Sequence, residues 1–274
     1  MIKTMAFFDP LLKLFRRHSK PGLTNNIMLT GYWPPTNSML RPFSANTELN
    51  PGGWAGGDWE GRGYDLHAFF PQFDSYPNDK VGFGDFPVDY QSTSADFWRI
   101  TEALRPCAII TFSLGRKDVW VIERLQRNLA EWRDDFRAPR QPTPAPPDDS
   151  IPAGSVRPSS LPIEAIEQAI NDAGIPNIIA GISSDGGGKF LSEYIAYHGV
   201  WYQAIHTSES SPRRCVAAGH IHVGRFSTLD ARKAALITIR TVIENVNRIL
   251  RPDEDEVRTL ADTAGVDVSA RTSD

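Results

Sequence analysis

The sequence predicts an α/β fold: a single domain of three layers, α/β/α, around a mostly parallel central sheet. Two observations predict it. Short apolar runs alternate along the chain with segments of helical spacing, the pattern of strands joined by crossover helices. No segment flanked by two independent cores divides the 274 residues, a length that one large domain can fill.

The elements follow in order. Ile27 to Gly31 is a short apolar run ending in glycine and reads as the first strand. Residues 34–63 are rich in turn formers, and Trp54 and Trp59 sit in a glycine-rich loop. Such a loop is either a covering flap or a long connection pinned to the core by its tryptophans. Tyr64 to Phe73 reads as a second strand, Ser94 to Leu104 as a helix, and Cys107 to Phe112 as a buried strand. The spacing then predicts a helix from about Ile122 to Phe136. Residues 138–160 are proline-rich and form an extended connection. Leu161 to Ala173 is amphipathic and stops at Gly174 and Pro176, both expected terminators. A strand over Asn177 to Ser183, a helix over Leu191 to Ala204, a strand from Cys215 to Val223 and a helix from Thr228 to Leu250 complete the pattern. Residues 1–26 form an extension that reads as an amphipathic helix, 27–250 the domain, and 251–274 a polar tail.

Composition narrows the function classes. With 41% hydrophobic and 23% charged residues the chain is ordinary for a globular protein. A formal net charge of -4 gives no reason to expect nucleic acid as a partner. No apolar run approaches the roughly 20 residues needed to span a bilayer. Cys107 and Cys215 lie in apolar runs, so both read as buried free thiols, which favours a cytoplasmic, reducing location.

In open α/β sheets reactive groups collect at strand ends and on the first turns of the helices that follow. Three such places carry useful side chains: Glu123, Ser192 after the Gly186-Gly187-Gly188 run, and His222. A serine hydroxyl becomes a nucleophile when an imidazole takes its proton, and a carboxylate behind the imidazole fixes the tautomer. Backbone N–H groups at a glycine-rich helix start can receive an oxyanion. The ordinary reading of a helix-initial serine is an N-cap, and that of Glu123 a solvated glutamate. His220 and His222 are two apart on a strand and share a face. With Asp185, His198 or His206 they would outline a metal site, although a structural role for His220 competes. Asp185 is expected to hold the glycine turn through its own side chain. Asp185-Gly-Gly-Gly-Lys189 lacks the spacing of a phosphate loop.

Several segments, in order, resemble the pyroglutamyl peptidase I family, the cysteine peptidases of family C15. They are Leu29-Thr-Gly31-Tyr-Trp-Pro34, Asn50-Pro51 with Trp54, Gly115-Arg116 with Glu123-Arg124 and Asn128, Leu161-Pro-Ile-Glu-Ala-Ile166, Ala173-Gly-Ile-Pro176 and Ala218-Gly-His-Ile-His-Val223. The resemblance covers residues 27 to 250. It implies the family's three-layer fold and hydrolysis of an amide or lactam-type bond, with a small-molecule or peptide substrate and no cofactor. It puts Glu123 and His222 on the family's catalytic glutamate and histidine, and Ser192 on its nucleophilic cysteine. Gly187, Gly188, Gly115, Arg133, Tyr32 and Trp33 are the implied oxyanion and substrate contacts. Tyr32 and Pro35 replace the two aromatics that clasp the lactam ring in the family, so pyroglutamyl specificity is not implied. A non-catalytic binding protein on the same fold and a metal-dependent hydrolase using His220 and His222 are the alternatives. Homo-oligomerisation stays open.

Overall fold

The computed structural model describes residues 24–115, 118–142 and 146–251. The expected helix over the first 26 residues and the polar tail thus fall almost wholly outside the described residues. The strands are β1 (Asn26–Tyr32), β2 (Asp65–Phe69), β3 (Pro71–Gln72), β4 (Phe83–Gly84), β5 (Ala108–Leu114), β6 (Trp120–Glu123), β7 (Leu125–Arg127), β8 (Val156–Pro158), β9 (Ala180–Ser183) and β10 (Ala217–Val223). The helices are α1 (Thr36–Leu40), α2 (Tyr90–Leu104), α3 (Ile163–Asp172), α4 (Leu191–His206) and α5 (Thr228–Leu250).

Six strands form the central sheet in the order β2-β1-β5-β10-β6-β9. All neighbours run parallel except β10 and β6, so β6 and β9 run opposite to the other four. Period-two alternation sorts the side chains into two cores. Ile27, Leu29, Ile110, Phe112, Ile122 and Ile221 meet α1, α3 and α5 on one face. Met28, Ile109 and Ala218 meet α2 and α4 on the other. The predicted three-layer architecture with a mostly parallel sheet is therefore the observed one. No helix among the described residues is long and apolar enough to cross a membrane.

One predicted element is absent. Residues 122–136 are not a helix: β6 and β7 occupy the start, and the remainder is irregular. Trp120, Val121 and Ile122 are aromatic or β-branched residues that suit a strand between two others, and Ile122 pairs with Ile221 on one side and Ile182 on the other. The helical spacing of Leu129 and Trp132 arises from their common burial against the α2–α4 core, where Trp132 packs on Tyr90 and Tyr194.

The Gly/Trp loop at 50–63 is a connection pinned to the core by its tryptophans. Trp54 donates its Nε1–H to Leu66 O at 2.8 Å and stacks on His67 with ring centroids 5.0 Å apart. Trp59 is buried edge-on against Phe43. A Cβ at Gly56 would lie 2.0 Å from the carbonyl oxygen of Leu66, a backbone atom that cannot step aside. Gly56→Ala is expected to lower stability by about 2–4 kcal/mol. Calorimetry would then show Tm reduced by about 5–10 °C, and an unchanged Tm would refute this packing.

Candidate active site

The α4 side of the sheet carries a polar strip where the opposite side is apolar. Thr111 and Ser113 of β5, His220 and His222 of β10, and Glu123 of β6 all project from it, because each is an odd step from a residue committed to the other core. His220 is fully buried, and its two ring nitrogens meet Thr111 Oγ1 at 2.8 Å and Ser113 Oγ at 2.9 Å. Burial, reinforced by the neighbouring His222, holds its pKa well below the usual 6.5. Both nitrogens being engaged, His220 has no lone pair free for a metal. His198 is also buried, bonded to Tyr194 O and Ser94 Oγ. Among the described residues no group of three His, Cys, Asp or Glu side chains is arranged to hold an ion. The donors among the described residues therefore do not fit the metal-site alternative.

His222 and Glu123 form a pair. His222 Nδ1 lies 2.9 Å from Glu123 Oε1, on side chains 14% and 4% exposed. Diagonal placement across the antiparallel β10–β6 ladder makes this possible, since Glu123 pairs with His220 and His222 with Val121. With Nδ1 donating to the carboxylate, Nε2 is the nitrogen left to act as an acceptor. The second oxygen, Glu123 Oε2, is buried with no hydrogen-bond partner among the described residues. Glu123 is thus neither solvated nor on a helix: it ends a strand.

Ser192 enters from α4. Phe190 is the N-cap and makes no side-chain cap bond, so Ser192 is the second residue of the helix and not its cap. Its hydroxyl donates to Gly187 O at 3.3 Å, not to His222. The N–H groups of this turn are those a helix leaves unsatisfied. Gly186 and Gly188 have φ of +70° and +94°, which accounts for glycine at both. The turn is also held by Ser183 Oγ, which accepts the N–H of Asp185 at 3.1 Å. Asp185's own carboxylate makes no hydrogen bond within the described residues, contrary to the expected Asx turn.

Glu123, Ser192 and His222 line one cavity of about 610 Å³, together with Gly115, Arg133, Gly187, Gly188 and Trp33. Sequence reasoning had named all eight. Tyr32, the ninth, is not in the wall: it is 1% exposed and its hydroxyl meets Thr93 Oγ1 at 2.6 Å. The chain turns sharply at Trp33 (φ +61°), which sends the two neighbouring aromatics to different places. Gly115 does line the cavity, but its N–H is consumed by Val223 O at 2.7 Å and is not an oxyanion donor. Its contribution is room, since a Cβ there would come within 3.1 Å of His222 Cβ. Arg133 is exposed at the rim, held through its backbone by Lys189 O and the Tyr90 hydroxyl.

An aromatic wall completes the cavity. Trp33 stacks on Phe190 with centroids 6.1 Å apart and planes 8° from parallel, and Phe136 packs against both. Phe190 and Phe136 were missed by sequence reasoning. Phe190 immediately precedes the helix start, where a bulky apolar residue is a usable signal. Phe136 was hidden inside the helix that does not form. The cysteines belong to neither wall. Both are fully buried, and burial pushes the Cys107 thiol up to about 12 and raises that of Cys215 well above 9.0. Neither is a usable thiolate.

The fold and cavity define a three-layer α/β protein that gathers a buried Glu–His pair and a helix-start serine in one pocket. Residues 85–258 match the pyroglutamyl peptidase family, and this span contains all three side chains. The chain belongs to that family, peptidase C15, and its fold is that of a peptidase-type hydrolase. Solved structures agree on the fold. Pyrrolidone carboxyl peptidase from Thermococcus litoralis superposes with a TM-score of 0.59 at 17% identity, covering 82% of this chain and 96% of that one. Pyrrolidone carboxyl peptidase from Pyrococcus furiosus gives 0.58 at 19% identity, covering 81% and 99%. No curated protein sequence matches the chain.

Proposed function

We propose that this protein hydrolyses an amide or lactam-type bond with Ser192 as nucleophile, His222 as general base and then acid, and Glu123 as the group that orients His222. The observation that carries this reading is the buried 2.9 Å contact between His222 Nδ1 and Glu123 Oε1, in the cavity that Ser192 also lines. That contact leaves Nε2 as the base. Ser192 Oγ adds to the substrate carbonyl while its proton passes to Nε2. The oxyanion is received at the unpaired N–H groups of the first turn of α4 and the preceding glycines, aided by the positive end of the helix. The imidazolium then protonates the leaving nitrogen as the C–N bond breaks. Water, activated by the same imidazole, releases the acyl group. For this chemistry the hydroxyl rotates from Gly187 O towards His222. No cofactor enters, and the buried unpaired thiols suit a cytoplasmic enzyme.

The substrate's acyl end lies against Trp33, Phe190 and Phe136 in this reading. With Tyr32 turned into the core, the pyroglutamyl peptide is one candidate among small amides and peptides. A second reading is a non-catalytic binding protein on the same fold, and the bond from Ser192 to Gly187 O favours it. A fluorophosphonate probe separates the two, because only an activated serine reacts. The expected result is one adduct on Ser192, no adduct on Ser192→Ala, and equal Tm for both proteins. Turnover of an accepted amide should vanish in Ser192→Ala, a fall of about 10⁴-fold or more. Absence of labelling at Ser192 in the wild type establishes the binding-protein reading instead.

A further inference from the structure

The three glycines before α4 give the loop little stiffness, yet the hydroxyl of Ser192 rests on one of their carbonyls. What holds the loop lies beneath it. Glu193, next to Ser192, has a side chain with no exposed surface. Its Oε1 accepts the backbone N–H of Arg127, at the end of β7, at 2.5 Å. Its Oε2 faces Arg127 Nη2 at 3.4 Å. The same Nη2 donates to Gly188 O at 3.4 Å. The glycines pack directly on this pair. A Cβ on Gly186 would stand 2.8 Å from Glu193 Oε2 and 3.0 Å from Arg127 Nε, and one on Gly187 would stand 3.1 Å from Glu193 N. Gly186 thus answers both to the turn, through its positive φ, and to the pair beneath it, while Gly187 packs tightly on the first turn of α4.

We propose that Arg127 and Glu193 are positioning residues of the nucleophile turn, fixing the Gly186–Gly188 backbone on the start of α4 and so setting where Ser192 Oγ rests relative to His222. A buried ion pair adds little net stability, because desolvation offsets most of the attraction; what it supplies is one defined geometry. Here that geometry links three separate pieces: the end of β7, the first turn of α4 and the glycine loop. Burial raises the pKa of Glu193 above the ordinary carboxylate value, and the charge on Glu123 raises it further, while the backbone N–H and the guanidinium of Arg127 oppose both. The pair thus offsets in part the burial of a second carboxylate near the Glu123–His222 pair. Neither residue is among those lining the cavity, so both act through Ser192 and the loop.

The effect on Ser192 reactivity rests on the function proposed above; the hold on the loop does not. The test uses full-length wild type, Glu193→Gln, Arg127→Met and Arg127→Lys. It measures hydrogen–deuterium exchange over residues 184–190 and over the rest of the chain, the rate of fluorophosphonate labelling of Ser192, and Tm. Glu193→Gln and Arg127→Met are expected to speed loop exchange at least tenfold with exchange elsewhere unchanged. Labelling should slow at least tenfold, and Arg127→Lys should recover part of both. Loop exchange equal to wild type in these variants overturns the proposal. So does a rise matched across the whole chain, which is the mark of a purely structural pair. If Glu193→Gln does not fold, Arg127→Met decides, its side chain being 31% exposed in the native protein. A wild type that takes no label defeats the proposed function, while loop exchange still decides the positioning role.

Discussion

Glu123→Gln is expected to lower kcat by about 10³–10⁴-fold and leave Tm unchanged or higher. The two effects have separate causes. Glutamine keeps the shape of the side chain but presents no charge to His222, so the imidazolium formed during attack is no longer stabilised. The amide can also turn its NH2 towards Nδ1, which forces the wrong tautomer on the ring. Stability moves the other way because Glu123 Oε2 is buried without a partner among the described residues. A half-satisfied buried carboxylate opposes folding, and a neutral amide relieves part of that cost. Kinetics on an accepted amide substrate, paired with denaturant unfolding, would read both. Loss of activity with an equal loss of stability would mean that Glu123 is structural, and unchanged kcat would remove it from the mechanism.

The second large effect is acid unfolding. Burial pushes the pKa of His67 down to about 3 and that of His198 down to about 4, and it holds His220 well below 6.5. In the unfolded chain each returns to about 6.5. The unfolded state therefore binds more protons below that value, and stability rises with pH across the interval. The contribution is whole above about pH 6.5 and is lost progressively as pH falls towards the folded values. By pH 4, His67 and His198 each remove about 3 kcal/mol, a large share of a typical total of about 5–15 kcal/mol. Glu193 has the opposite sign: its pKa is raised, so its contribution is present at low pH and lost as pH rises through the folded value. Asp85 has the same sign, since burial raises its pKa too, and the three histidines set the direction of the profile. Urea midpoints at pH 7, 5.5 and 4.5 should fall steeply and in order. A flat profile would contradict the burial of these rings.

These expectations show which parts of the protein the sequence could disclose. Outside residues 120–136, the order of the main strands and helices, the three layers and the bounds of α5 were readable because each depends on local periodicity, and α5 matched to the residue. Glu123, Ser192 and His222 could be singled out because their residue types and their places after apolar runs suit one kind of chemistry. The stretch from Ile122 to Phe136 was misread because leucine and tryptophan at helical spacing look the same whether a helix or a shared core buries them. Tyr32 and Trp33 could not be told apart, since the positive φ at Trp33 decides which ring faces the cavity and which is buried. Phe136 gave no sign of meeting Trp33, because its segment was read as helix and is irregular.

By itself, then, the sequence determined the α/β/α architecture and the three residue types brought to the pocket, because period, composition and turn chemistry act within a few residues. Only the tertiary structure decided the contacts that cross the sheet. It put Glu123 on His222 through an antiparallel pairing within a mostly parallel sheet, spent the N–H of Gly115 on Val223, satisfied both nitrogens of His220, and laid the glycine loop on Arg127 and Glu193. Each of these joins atoms far apart in the chain, and register and burial fix them only once the whole sheet is assembled.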